Sequence, residues 1–492
     1  MRAFLLCLGA AALLGAGCTP AAARPNVLLV TLDTTRADAL GCYGKPGDPT
    51  PVLDALAAEG TRFDAAIATA ALTPASHASI LTGLDGAHHG VRVLAGGGGM
   101  HLAEDHPTLA TILREHGYST AAVLSAFPVS KAYGFERGFD LYDCPEGALE
   151  AGPAGTPTWN LSKLQRRADA TIERAVAWVR GTRAPFFLWM HCFDPHDAAL
   201  LPPGVAASAP DAIDLTDAQY DAEVRYVDRE LGRLFAALRE IGAWENTIVV
   251  VVADHGEGRG DHGWPHHRIL YQEEIRVPLI VRPSRALRSG GEAGAASAPV
   301  VAELVRTTDV LPTVLEFLGI LPLKAIDGRS LRGLMQGRAE PPRTALADAV
   351  NGYDLNALQI RSRPLDDFLY CAMDARWKLV YRPAHPEASE LFDLARDPRE
   401  LQNRTAEEPA RARDLERELA RAAPWVTAPF PPLDPQSAAA TQRALSGLGY
   451  TGGDARASGP AWRWTCPEHR EWTSDERASC PRCGSPPLLI AR

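Results

Sequence analysis

The sequence predicts an α/β protein: a large mixed, mostly parallel sheet sandwiched by helices, followed by a smaller antiparallel-sheet subdomain. Three observations carry this prediction. Near-continuous apolar runs recur along the first half of the chain, as strands buried on both faces require. Helix-period segments separate them, the alternation that joins parallel strands by crossover helices. Beyond residue 355 the texture changes to short apolar segments broken by charges.

In chain order, the first strand is Asn-Val-Leu-Leu-Val-Thr-Leu-Asp-Thr-Thr at 26–35. Similar runs at Thr120–Ser125, Pro185–His191 and Thr247–Asp254 supply three more. Helical periodicity marks Thr50–Glu59, Thr108–Gly117, Leu164–Arg180 and Ala218–Gly242. Phe368–Met373, Trp377–Arg382 and Glu390–Asp393 read as the short strands, and Ala406–Ala423 as a charged helix. Residues 424–460, rich in Pro, Ala, Gly and Ser, read as a linker. The expected organisation is therefore a signal segment at 1–18, a main α/β domain at 26–350, a subdomain at 351–423, the linker, and a Cys/His module at 461–492.

Composition bounds the function. The 492 residues are 46% hydrophobic and 22% charged, which excludes a disordered chain, collagen or coiled coil. Fifty basic against sixty acidic residues give a net charge of −10, with no long basic run. No nucleic-acid partner is expected, because phosphate-backbone binding needs a positive surface.

Met1-Arg2, the apolar stretch Ala3–Leu14 and Gly15-Ala16-Gly17-Cys18 form an export signal. Small residues before Cys18 resemble a bacterial lipoprotein processing site, making Cys18 the lipidation candidate; a plain signal peptide is the alternative. The expected location is the bacterial periplasm or cell envelope, with a lipid anchor joining the protein to the membrane. Of nine cysteines, Cys42, Cys144, Cys192 and Cys371 are scattered through the body, as two disulfides or as buried free thiols.

In α/β sheets, ligands bind beyond the carboxyl ends of the strands. Asp33, the His191–His196 segment and Asp254-His255 all close apolar runs, so the fold gathers them on one edge. Two carboxylates and an imidazole on rigid strand ends suit a divalent cation. His255, His262, His266 and His267 fall within thirteen residues interleaved with glycine, which marks a functional loop.

These residues carry a resemblance. Arg24-Pro-Asn-Val-Leu-Leu-Val-Thr-Leu-Asp-Thr-Thr-Arg-Ala-Asp38, Thr73-Pro-Ala-Ser-His-Ala-Ser-Ile-Leu-Thr-Gly83, Phe193-Asp-Pro-His196, Ala253-Asp-His-Gly-Glu257 with Leu270–Pro278, and Glu390-Leu-Phe-Asp-Leu394 with Asp397 and Asn403 follow in order. Over residues 26–450 the chain resembles a sulfatase of the alkaline phosphatase superfamily, which implies an alkaline-phosphatase-like fold. The resemblance implies a metal (Ca2+, Mn2+ or Zn2+) held by Asp33, Asp254 and His255, with the nucleophile Thr73 also beside it. Many family members carry a further acidic ligand where this chain has Thr34. At the position of the cysteine or serine that becomes formylglycine stands Thr73, with His77 four residues on and the proline displaced to Pro74. Formylglycine is therefore not expected.

A metal-activated threonine resembles the nucleophile of phosphodiesterases and phosphoryl transferases of the same superfamily. A phospho-threonine can be cleared by water. A sulfo-threonine lacks the second hydroxyl of hydrated formylglycine. If the site were degenerate, Thr73 would be a helix cap. His196 is the candidate acid. Asp194, His196 and His266 are the ligands of a possible second metal. His266 and His267 fall where relatives place an anion-binding lysine, and His267 joins the catalytic set. Arg36 either pairs with the bound anion or forms a surface salt bridge. His77 either hydrogen-bonds the nucleophile segment or packs there. His262 reads as a solvated loop residue, and His88 and His89 as structural.

Cys466-Pro-Glu-His469 and Cys480-Pro-Arg-Cys483 are paired knuckles separated by ten residues, suited to tetrahedral Zn2+; a disulfide is the alternative. The expected function is a metal-dependent hydrolase of sulfate or phosphate esters acting on a small anionic substrate. The alternatives are a phosphodiesterase, phosphonate hydrolase or phosphoryl transferase of the same superfamily, and a non-catalytic anion-binding relative.

Overall fold

The computed structural model of the chain describes residues 24–422 apart from 95–98, 147–148, 152–156, 160–163, 184, 197, 209–214, 290–299, 322–325 and 355–362, together with 462–465, 473–474, 481 and 488–491. The signal segment, Cys18, the linker at 424–460 and Cys466, His469, Cys480 and Cys483 lie outside the described residues.

Nine strands of the described residues form the large sheet. They are β1 (Asn26–Leu32), β2 (Thr61–Ile67), β3 (Ser119–Leu124), β4 (Leu141–Asp143), β5 (Phe186–Cys192), β6 (Thr247–Ala253), β7 (Arg276–Val277), β8 (Leu279–Arg282) and β9 (Val300–Arg306). The order is β9-β2-β8-β6-β1-β5-β3-β4, with β7 against β2. β6, β1, β5 and β3 are parallel neighbours, whereas β8 runs antiparallel to both β6 and β2. Every residue of β1, β5 and β6 is buried, which explains their unbroken apolar sequences.

The helices include α1 (Pro51–Glu59), α2 (Thr73–Thr82), α3 (Leu109–Glu115), α4 (Ala168–Gly181), α5 (Asp217–Glu240), α6 (Val310–Leu318) and α7 (Pro409–Ala422). α5 begins at a capping box in which the Thr216 hydroxyl accepts from the Gln219 N–H and the Gln219 side chain accepts from the Thr216 N–H. Tyr220, Val224, Val227, Leu231, Leu234 and Leu238 form its buried face at three- and four-residue spacing. Thr108 and Thr111 cap α3 in the same reciprocal way.

The smaller sheet is antiparallel, in the order β10 (Ala345–Ala349), β11 (Leu369–Met373), β12 (Trp377–Tyr381), β13 (Glu390–Asp393). It opens with β10, ahead of the subdomain start expected at residue 351. Leu415 and Leu419 of α7 are buried in the main hydrophobic core. Trp462–Thr465 pairs on its two sides with Thr473–Ser474 and Leu488–Ala491.

Of the two readings of the body cysteines, free thiols hold: Cys42, Cys144, Cys192 and Cys371 are all unbridged. No helix among the described residues is long and apolar enough to cross a membrane.

Candidate active site

Strand register builds the site. Leu32 of β1 lies beside Ala253 of β6 on one side and Cys192 of β5 on the other. The next residues leave the sheet at one edge. The ladder continues one step, with Asp33 N donating to Cys192 O (2.9 Å) and Asp254 N to Leu32 O (3.3 Å). Asp33, Asp254 and His255 are fully buried, and each offers one ligand atom, all within 4.8 Å of one another.

Asp254 Oδ1 accepts the N–H of His255 (2.7 Å) and of Thr34 (3.3 Å). Thr34 reaches that position with φ +46°, a strained conformation for a β-branched residue and one that clusters at functional sites. Burial, and next the charge of Asp33, push the Asp254 carboxyl well above its ordinary range. Two carboxylate oxygens and one imidazole nitrogen fit a divalent ion, whose charge would offset this repulsion.

Thr73 is the first residue of α2; the N-cap is Leu72. Its hydroxyl therefore does not act as the cap of a degenerate site. Thr73 Oγ1 instead lies 3.3 Å from His255 Nε2. His255 Nδ1 donates to Gly256 O (2.8 Å), so Nε2 turns its lone pair towards the threonine. His77 Nδ1 donates to Thr73 O (2.8 Å) and sits 3.5 Å from Asp254 Oδ2. Both readings of His77 hold: it hydrogen-bonds the Thr73 segment and packs against the Trp189 and His191 rings. Ser76 Oγ donates to Asp254 O (2.6 Å) and ties α2 to the end of β6.

A cluster of imidazoles, buried except for the half-buried His196, surrounds this corner. His267 lies 4.8 Å from the His255 ring and 5.5 Å from the His196 ring, centroid to centroid. Glu257 Oε2 is 3.6 Å from His267 Nδ1. His196 stacks on Phe193 at 4.3 Å. Burial holds His77, His196, His255 and His267 well below the ordinary imidazole range, and brings His191 to about 3.

Other expectations change. Asp194, His196 and His266 do not assemble as a second metal cage: among the described residues the one grouping of three such ligand atoms is Asp33, Asp254 and His255. Asp194 Oδ1 accepts the Ala168 N–H at the start of α4 (2.8 Å), and burial raises its carboxyl to about 7. Arg36 takes its salt-bridge reading, paired with Asp261 (2.6 Å) and Asp38 (2.8 Å). His262 is not a solvated loop residue. Its ring stacks on Tyr271 at 3.8 Å and its Nδ1 meets Glu273 at 2.6 Å. His89 is structural, since its Nδ1 accepts the Val91 N–H and its Nε2 faces Ser79 Oγ at 2.9 Å. The residue sequence reasoning left without a role is His191, whose Nε2 lies 3.3 Å from Asp33 Oδ2. Its signal was its place, last but one on a strand adjoining β1.

The chain matches the family model described as Sulfatase over residues 25–320, and the one described as N-sulphoglucosamine sulphohydrolase, C-terminal, over 260–423. It is 25% identical to an arylsulfatase of Clostridium perfringens, covering 77% of this chain and 90% of the relative. It is likewise 25% identical to an N-acetylglucosamine-6-O-sulfatase of Bacteroides thetaiotaomicron, covering 77% and 82%. A phosphonate monoester hydrolase of Agrobacterium radiobacter shares the fold, with a TM-score of 0.62, 22% identity, and coverage of 81% of this chain and 95% of that one. The first model alone takes in more than half of the sequence and all the strand ends that meet at the buried corner, and this chain belongs to the sulfatase family.

Proposed function

We propose that the chain is a metal-dependent hydrolase of anionic sulfate- or phosphate-type esters, with Thr73 as its nucleophile, and that it prefers phosphate or phosphonate esters. The observation that carries this is the buried Thr73 hydroxyl, 3.3 Å from His255 Nε2 at the rim of the Asp33–Asp254–His255 group. Those three side chains would hold the ion. A bound divalent cation there lowers the pKa of a nearby hydroxyl and polarises the ester oxygens.

The chain's own groups supply the rest. Thr73 opens α2, whose N-terminal N–H groups and dipole favour the transferred anion. Its oxygen attacks phosphorus in line and releases its proton to water, and the ester P–O bond breaks as the new one forms. His196 gives the leaving oxygen a proton, because a bound anion beside it favours the imidazolium. Water then attacks phosphorus and gives a proton to His196, the Thr73 O–P bond breaks, and the Thr73 oxygen takes a proton from solvent to restore the hydroxyl. A sulfate ester would stall at the second step, which is why a threonine favours phosphorus.

The reading extends to location and tail. The signal at 1–18 supports export to the periplasm or envelope, with Cys18 as the lipid-bearing residue, and the arylsulfatase and N-acetylglucosamine-6-O-sulfatase relatives above are bacterial. Cys466, His469, Cys480 and Cys483 would bind a structural Zn2+ apart from the catalytic ion.

The test is a parallel assay of aryl sulfate, phosphate monoester, phosphate diester and phosphonate monoester with added Mn2+, Ca2+ or Zn2+. Turnover of a phosphorus ester is expected, and Thr73→Ala should lose at least about a thousandfold in kcat. Faster turnover of aryl sulfate would overturn the phosphorus preference. If every ester stays intact and Thr73→Ala behaves as wild type, the hydrolase reading falls.

A further inference from the structure

Behind Asp33 runs a chain of buried polar groups that belongs to neither the nucleophile nor the acid. Trp189 Nε1 donates to Thr31 Oγ1 at 3.0 Å. Thr31 Oγ1 lies 3.0 Å from His191 Nδ1, and His191 Nε2 lies 3.3 Å from Asp33 Oδ2. Trp189, Thr31 and His191 are all 0% exposed. The strand register accounts for the alignment, since Thr31 of β1 sits directly opposite His191 of β5.

Donor and acceptor rules give the chain a direction. An indole N–H can only donate, so Thr31 Oγ1 accepts from Trp189 and keeps its own proton to give. The alternative acceptor for that proton, Met190 O, is at 3.5 Å, farther than the imidazole nitrogen. With Nδ1 accepting the Thr31 proton, the ring's remaining proton sits on Nε2, 3.3 Å from Asp33 Oδ2. The opposite tautomer would turn a lone pair towards a carboxylate oxygen in a dry corner, where repulsion is least screened.

We infer that Trp189, Thr31 and His191 form a positioning chain that fixes the His191 tautomer and so aims Asp33 at the divalent cation. Outer groups of this kind orient metal ligands, and their removal typically costs about 10–100-fold in metal affinity. The inference rests on the proposed metal role of Asp33, Asp254 and His255. It adds three residues that touch neither the ion nor the substrate.

The test is calorimetric titration of the chelator-treated full chain with Mn2+, with substrate absent and Tm measured alongside. Thr31→Val keeps the shape and the strand propensity but removes the hydroxyl. It should weaken Mn2+ binding at least about tenfold. Thr31→Ser restores the hydroxyl and should bind as wild type. His191→Gln retains an N–H near Nε2 and should bind more tightly than His191→Leu. Equal Mn2+ affinity in wild type, Thr31→Val and His191→Leu, with binding abolished in Asp33→Ala, would overturn this inference and leave the metal site standing. An absence of Mn2+ binding in the wild type would overturn both. A Tm loss in Thr31→Val with unchanged affinity would reduce the chain to packing and overturn the inference.

Discussion

Two buried ionic corners lie at the two ends of the 255–273 loop, and they solve the same problem in opposite ways. At one, Asp33 and Asp254 bring like charges together with His255. At the other, Lys378 of β12 meets Glu400 at 2.6 Å, both fully buried, beside the Tyr271 ring on which His262 stacks. Glu400 also accepts the Gln272 N–H and, through its carbonyl, the His262 Nε2 proton. The second corner is neutralised by the chain itself and clamps the small sheet to the loop. The first, on the proposed reading, is left for an outside cation to neutralise.

Breaking the clamp should have the largest effect. Lys378→Met leaves Glu400 buried without its countercharge and should cost about 3–5 kcal/mol in denaturant unfolding. Restoration of most of that loss by adding Glu400→Gln would show the pair as mutual neutralisation. A loss below about 1 kcal/mol would erase the contrast between the corners.

Metal should act on the other corner alone. At about a hundredfold excess over Kd, Mn2+ should raise stability by about 2.7 kcal/mol, and a chelator should remove the gain. Asp254→Ala should abolish the response, whereas Lys378→Met should keep it. An equal Mn2+ response in Asp254→Ala would place the ion elsewhere.

The smallest effect is a pH dependence confined to the clamp. Burial of His262 disfavours its charge, but the Glu273 hydrogen bond and charge outweigh this, so its pKa is raised overall. A raised folded pKa gives stability that is complete below about 6.5 and lost as pH rises through the folded value. Wild type should therefore lose Tm relative to His262→Gln above about pH 6.5. Parallel Tm curves across that range would show that the ring stacks on Tyr271 without using its charge.

Much of this was legible in sequence for a physical reason. β1, β5 and β6 are buried on both faces, so their apolar runs are unbroken and their closing Asp33, His191 and Asp254 stand out. β2 and β9 are partly exposed and carry Arg62, Asp64, Glu303 and Arg306, which hides the strand signal. β10 (Ala-Leu-Ala-Asp-Ala) has little strand propensity and is held by pairing with β11. His262 was misread because glycines flank it, while its partners Glu273 and Glu400 come from outside its own turn. The role of His191 needed the sheet register, which no local pattern encodes.

The rung Leu32–Ala253 has a last consequence. Adjacent strands are spaced at about 4.8 Å by the backbone repeat, whatever side chains they carry. The main-chain spacing beneath Asp33 and Asp254 is thus set like the jaws of a caliper, and side chains do the final aiming of the carboxylates. On the proposed reading, drift in the surrounding loops would retune which ester is admitted while leaving that backbone spacing untouched.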